Sequence, residues 1–331
     1  MDDITPSKLR SHRLESGDVS VTILSLGCIT HDWRVPVGDS LVPVVLSYQD
    51  PLDHLRCPGS LGIIAGRVAN RIANAKFTLD GAHHALCANE GPNQLHGGPW
   101  GLARRNWTLE PDGSKAVQLH HHSPHGDQGF PAAVDFTIKI ELQNNRLSYH
   151  MFAVPDRPTP INLAQHSYYN LMGHGAIWDH QLEIASGGYT PTDKTLIPTG
   201  ERLLFETVPA REATFDFRKT KTIVQADPSS QGSDVNLILA STGTAPCATL
   251  TAPNGLRLNM WTDQPGLQLY TGAKLSPKAP PMDHQSHQPF SGLCLEPQHF
   301  PDSPNQPDFP SIICTPERPY HQRLDIEISS R

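Results

Sequence analysis

A two-residue rhythm runs through this chain and leaves few folds open to it. Apolar and polar side chains alternate in 19–24 (Val-Ser-Val-Thr-Ile-Leu), 134–140 (Val-Asp-Phe-Thr-Ile-Lys-Ile) and 324–328 (Leu-Asp-Ile-Glu-Ile), with similar runs at 146–151, 181–184 and 267–270. Successive strand residues point to opposite faces, so the alternation predicts strands with one face turned to a core. Turn formers separate the runs, among them Asn144-Asn145 and Pro253-Asn254-Gly255. The 31 prolines and 25 glycines are spread along the chain, as many short strands joined by turns require. No long helical stretch is legible. The absence of a repeat of about 20 to 50 residues argues against a propeller or solenoid. The expected fold is all-β: one large antiparallel β-sandwich, with residues 1–331 as a single domain.

Composition excludes several partners. With 26 Lys and Arg against 33 Asp and Glu, the net charge is -7, which leaves no basic footprint for nucleic acid. No apolar run reaches the roughly 18 residues of a membrane span. The start, Met1-Asp2-Asp3-Ile4-Thr5, is acidic where a secretory signal would be apolar. The six cysteines are scattered without a C-x-x-C pair, which predicts reduced thiols and a cytoplasmic location. Monomer and homodimer remain equally open.

Five segments depart from ordinary strand sequence. In 161–171 (Ile-Asn-Leu-Ala-Gln-His-Ser-Tyr-Tyr-Asn-Leu), a continuous strand would turn Asn162, His166, Tyr168 and Asn170 to one polar face. Histidine titrates near neutral pH and is the commonest proton-transfer residue, although a lone one is more often part of a core. Residues 66–74 (Gly-Arg-Val-Ala-Asn-Arg-Ile-Ala-Asn) are rich in donors for sugar hydroxyls or a carboxylate, with an exposed loop as the plain alternative. In residues 89–98 (Asn-Glu-Gly-Pro-Asn-Gln-Leu-His-Gly-Gly) the glycines after His96 would let backbone approach a ligand, or simply make a turn. Asp234, in Ser233-Asp234-Val235-Asn236, suits a hydroxyl acceptor or a turn cap. Glu296 falls in Leu293-Cys294-Leu295-Glu296-Pro297-Gln298, sharing a face with Cys294 and Gln298. Burial there would raise its pKa toward the range of a general base; an ion pair or an edge position is the plain alternative.

Together these segments resemble the aldose 1-epimerase (galactose mutarotase) family. The matching patterns are G-R-V-A-N-R-I at 66–72, N-Q-L-H-G-G at 93–98, N-L-x-x-H-S-Y-Y-N-L at 162–171 and P-T-G-E at 198–201. They continue with F-D-F-R at 215–218, S-D-V-N at 233–236, Q-L-Y-T-G at 268–272 and C-L-E-P-Q at 294–298, and close with F-P and P-E-R-P-Y between 309 and 320. They stand in family order over roughly residues 20 to 328. The resemblance implies a β-sandwich holding a free monosaccharide in an open cleft, with no metal and no organic cofactor. It implies Glu296 as general base on the anomeric hydroxyl and His166 as general acid on the ring oxygen. Arg71, His96, Asp234, Gln268 and Asn70 would bind the sugar. Two positions depart from the family pattern: Ala132, and Thr315 before Pro316-Glu317, where glycines are usual; both put the flanking loops in doubt.

Three rival readings stay open on sequence. Glu296 and Asp234 could be the carboxylate pair of a glycoside hydrolase, which would need a defined separation across a glycosidic bond. The fold could serve a non-catalytic carbohydrate-binding protein. Zinc could use His120, His121, His122 and His125, or His284 with His287.

Overall fold

A computed structural model describes residues 6–57, 59–209, 214–240 and 244–330. The alternating runs become strands, and every pairing within the named sheets is antiparallel. The largest sheet has nine strands in the order 108–112, 116–123, 134–143, 146–155, 320–330, 256–262, 248–251, 181–184 and 221–222. Its centre is a hairpin, Val134–Gln143 with Arg146–Pro155, turned by Asn144-Asn145, with Asn144 at φ +54°. Along the first strand Val134, Phe136, Ile138, Ile140 and Leu142 are buried, while intervening residues face outward. Leu147, Tyr149 and Met151 continue that inner face, as do Leu324, Ile326 and Ile328 of Tyr320–Ser330. Each large apolar side chain so buried contributes roughly 1.5–3 kcal/mol.

A six-stranded sheet packs its apolar face into the same core. Its order is 168–169, 293–298, 266–270, 234–239, 186–190 and 203–204. Val235, Leu237, Leu267, Leu269, Leu293 and Leu295 point inward. Period two therefore sends the alternate residues of three adjacent strands to the far side. Register sets them in two rungs: Asn236, Gln268 and Glu296 in one, and Asp234, Tyr270, Cys294 and Tyr168 in the next. In an ordinary half-buried sheet such a face would be solvated. Here Leu293–Gln298 is buried at every residue, so its second face is covered too.

The cover comes partly from the segment expected to be one strand at 161–171. It breaks at Ser167: Ala164–His166 pairs with Ile63–Ala65, whereas Tyr168–Tyr169 pairs with Leu293–Gln298. Gln165 Oε1 accepts the Ser167 N–H at 3.2 Å, so that amide does not join a ladder. The polar face expected for four residues is consequently split. Asn162 exchanges hydrogen bonds with the His299 backbone (3.2 and 3.0 Å), and Asn170 Nδ2 donates to the carbonyls of His174, Gly175 and Ser291. Both asparagines hold loops rather than a ligand.

Candidate active site

The second face of the six-stranded sheet floors a cavity of about 170 Å³ lined by Asn70, Arg71, His96, His166, Asp234, Gln268 and Glu296, the residues singled out from sequence. Ser60, Glu90, Tyr168, Tyr270 and Lys274 complete the polar wall. Wider grooves exist, including one of about 720 Å³ beside Pro43 and His284, but they lack a buried acid and base.

Each side chain has an identifiable support. Glu296 stands opposite Gln268 in the ladder, and Gln268 Nε2 donates to Asp234 Oδ1 at 2.7 Å. That bond turns the Gln268 carbonyl oxygen elsewhere, and it is buried without a partner, as is Glu296 Oε2. Buried acceptors left unpaired are costly in a fold and are expected where a ligand will donate to them. His166 enters from the neighbouring strand, with Nε2 3.4 Å from Glu296 Oε1 and Nδ1 3.5 Å from Cys294 Sγ. The short pairing of Arg71-Ile72 with Gln94-Leu95 brings Arg71 and His96 over the floor. The Asn70 backbone N–H donates to His96 Nδ1 at 3.2 Å, so the neutral ring carries its proton on Nε2. Asn70 itself is left-handed at φ +62°, and its Oδ1 accepts the Arg71 N–H at 2.8 Å. Arg71 in turn is held by Glu90.

Electrostatics follow from burial. Glu296 is raised well above the ordinary carboxylate range, first by burial and then by the nearby charge of Asp234; Arg71 opposes them. Burial lowers His166 to about 4, and burial with the neighbouring His166 and Arg71 pushes His96 well below its usual value. Burial therefore disfavours the charged form of both His166 and Glu296, which at 3.4 Å are close enough to titrate as a pair.

Some expectations change. Arg67 is neither an exposed loop residue nor a ligand donor: it is buried, donating to the carbonyls of Pro131, Ala132 and Ser123 and to Ser123 Oγ. The glycine after His96 approaches backbone, not ligand: a Cβ on Gly97, at φ +84°, would strike Gly66 O. Ala132 adopts φ +68°, the conformation that favours glycine, and Thr315 closes a turn with Arg318; neither lines the cavity. Tyr320, from the P-E-R-P-Y pattern, braces the segment that leads to His166, its Oη accepting the Leu163 N–H at 3.0 Å. Tyr168, expected on the polar face of 161–171, reaches the cavity despite the break at Ser167, and Tyr270, two residues from Gln268 on one strand, was within reach of the period-two rule. Glu90 lay within the segment 89–98 without a role of its own, and nothing in the pattern marked Lys274.

Three of the histidines considered for zinc have hydrogen-bond partners of their own. His120 bonds Thr137 Oγ1 (3.1 Å), His122 bonds Asp135 (2.6 Å), and His125 accepts the Ala132 N–H (3.1 Å). His287 packs edge-on against Tyr48, and His284 lines the groove beside Pro43. Among the described residues one set of three possible ligands lies within 4.8 Å: His166, Cys294 and Glu296. Cys294 sits at Nδ1 of the imidazole and Glu296 at Nε2, so one ion could not use the near nitrogen of both.

The profile of the aldose 1-epimerase family matches residues 10–327. The galactose mutarotase of Rattus norvegicus is 35% identical over 316 residues, covering 93% of this chain and 91% of the relative. The aldose 1-epimerase of Escherichia coli (strain K12) is 33% identical over 325 residues, covering 94% and 92%. In three dimensions the chain is similar to a GalM/aldose epimerase homologue from C. elegans, with a TM-score of 0.91 at 24% identity over 97% of this chain and 99% of that one.

Proposed function

We infer the activity from the premise that this chain belongs to the aldose 1-epimerase family: it is an isomerase that interconverts the α and β anomers of free aldohexoses such as galactose and glucose. The observation that carries the residue assignment is Glu296 facing His166 across 3.4 Å, both buried, at the floor of a small cavity walled by hydroxyl-binding groups.

Anomer exchange needs one proton removed and one delivered. Glu296 takes the proton of the anomeric hydroxyl while His166 Nε2 gives one to the ring oxygen, and the C1–O5 bond breaks to leave the free aldehyde. Rotation about C1–C2 and the reverse transfers close the ring on its other face. No proton is gained or lost overall, which suits a pair that shares one. In the free site burial favours the uncharged arrangement, a protonated Glu296 beside a neutral His166. A sugar hydroxyl donating to Glu296, together with Arg71, favours the carboxylate and sends the proton across to Nε2. Arg71, His96 and Asn70 serve as donors, Asp234 as an acceptor and Gln268 Oε1 as a further acceptor for the sugar hydroxyls.

The cavity supports a monosaccharide over a longer glycan, since about 170 Å³ is well below the roughly 300–1,000 Å³ of larger-ligand sites. We place the protein in the cytoplasm, a reading supported by six free cysteines. Treating 1–331 as one domain is supported by a core that runs from Leu14 to Ile328.

Polarimetry tests the reading. Decay of rotation in fresh α-D-glucose and α-D-galactose should accelerate with the protein, and E296Q and H166N should each lose about 10² to 10⁴-fold of that acceleration. A wild-type protein without effect, or variants at wild-type rates, would sink it. Release of reducing sugar from aryl glycosides would favour a hydrolase instead.

A further inference from the structure

Arg71 is almost enclosed, its side chain 9% exposed, yet its charge is answered from the cavity mouth by a carboxylate 37% exposed. Glu90 takes Arg71 Nε at 2.6 Å and Nη2 at 2.8 Å, a side-on bidentate pair. Two of the five guanidinium N–H groups are thereby committed, and the three that remain lie on Nη1 and the outer side of Nη2. Glu90 is itself held, because its backbone exchanges hydrogen bonds with Asn93 (3.1 and 3.0 Å) in a tight turn. The adjacent Asn89 side chain ties that turn to both polar groups of the Leu95 backbone, the residue opposite Arg71 in the short ladder. Turn, ladder and ion pair thus close a ring around one arginine. A planar fork held at one edge presents the other in a single direction, with little rotamer freedom left to lose when a ligand binds.

We propose that Glu90 is a positioning residue for sugar binding: it holds Arg71 with its free guanidinium edge toward the ligand and offsets part of the arginine charge felt by Glu296. This rests on the assignment of the cavity to aldose mutarotation. The second half has a physical consequence. Arg71 pulls Glu296 down against burial and against Asp234. Removing Glu90 strengthens that pull, so the shared proton is lost at lower pH. The other titratable groups around Glu296 are not altered by the substitution: Asp234, His166, His96, Tyr168, Tyr270 and Cys294. Lys274 is the other cation on the cavity wall.

The test is polarimetric kinetics across pH on wild type, E90A and E90Q. E90A should raise KM roughly tenfold with kcat within about threefold, because binding loses its preorganised donor while acid and base remain. E90Q, with one acceptor in place of two, should give an intermediate KM. Both variants should move the alkaline limb of kcat/KM to lower pH, since both lack the charge; a purely structural role would leave that limb in place. Wild-type KM and pH profile in E90A would overturn the inference, as would a loss confined to kcat. A wild-type protein that does not accelerate mutarotation would instead overturn the assignment on which the inference rests.

Discussion

Two pairs of histidines in this molecule look alike and are built for opposite ends. His31 and His54 meet edge to face with ring centroids 5.3 Å apart; His96 and His166 do the same at 5.2 Å. Burial lowers His31 to about 4, His54 to about 3 and His166 to about 4. The difference lies in what surrounds them. His31 Nδ1, His54 Nε2 and Ser47 Oγ close a triangle of 3.1, 2.9 and 3.2 Å, and the Ser47 N–H is taken by Gln285. Around His166 the polar groups do not close on one another: Glu296 Oε2 and Gln268 Oε1 have no partner. A depressed histidine marks burial. A depressed histidine beside an unpartnered acid in a cavity marks a place where a ligand completes the hydrogen bonding.

Substitutions should separate the two pairs. E296Q, expected to lose most activity, should melt at or above the wild-type temperature in thermal unfolding. Burial raises the folded-state pKa of Glu296, so its stabilising effect is present at low pH and is lost as pH rises through that raised value; at neutral pH burying a group that is ionised in the unfolded chain opposes folding, and the amide removes that burden. A clear destabilisation would mean that Glu296 is held by contacts rather than left open for a ligand. H54A should do the reverse: it should cost about 2–4 kcal/mol in urea unfolding, from lost packing and unpaired polar groups, while kcat/KM stays within about twofold. Loss of activity in folded H54A would erase the distinction.

A smaller effect is common to both pairs. Unfolded histidines take up protons near pH 6.5, whereas folded His31, His166 and His180 do so only at about 4, and His54 at about 3. The unfolded chain therefore binds more protons in that window, and stability falls as pH drops from 6.5 toward 4. The slope is up to about 1.4 kcal/mol per pH unit for each histidine. Urea titrations at pH 7, 6 and 5 should show the decline, and H54A should show a shallower one. A flat profile would mean that these rings accept protons in the folded state.

Much of the site was legible because alternation is a local property. The face shared by Cys294, Glu296 and Gln298 follows from strand geometry alone, with Leu293 and Leu295 opposite in the core. The same rule overreached at 161–171, because one side chain, Gln165, captured a backbone amide and ended the strand at Ser167. Arg67 and Arg71 illustrate the limit more sharply. They stand four residues apart in one motif with the same chemistry, yet one braces carbonyls near Pro131 and the other faces the cavity. Glu90 is less legible still, since its role depends on a turn that carries it to an arginine 19 residues away.

The sequence by itself determined that the chain alternates into strands around an apolar face, because that pattern needs no distant partner. That Glu296 and His166 stand among donors suited to a sugar was implied by the family resemblance, not by the alternation. Only the tertiary structure decided which polar face would be covered instead of solvated, which arginine would meet the ligand, and which histidines would close on one another. Those outcomes depend on ladder register and on contacts between segments far apart in the chain, where a shift of one residue would turn Glu296 into the core and Leu295 into the cavity.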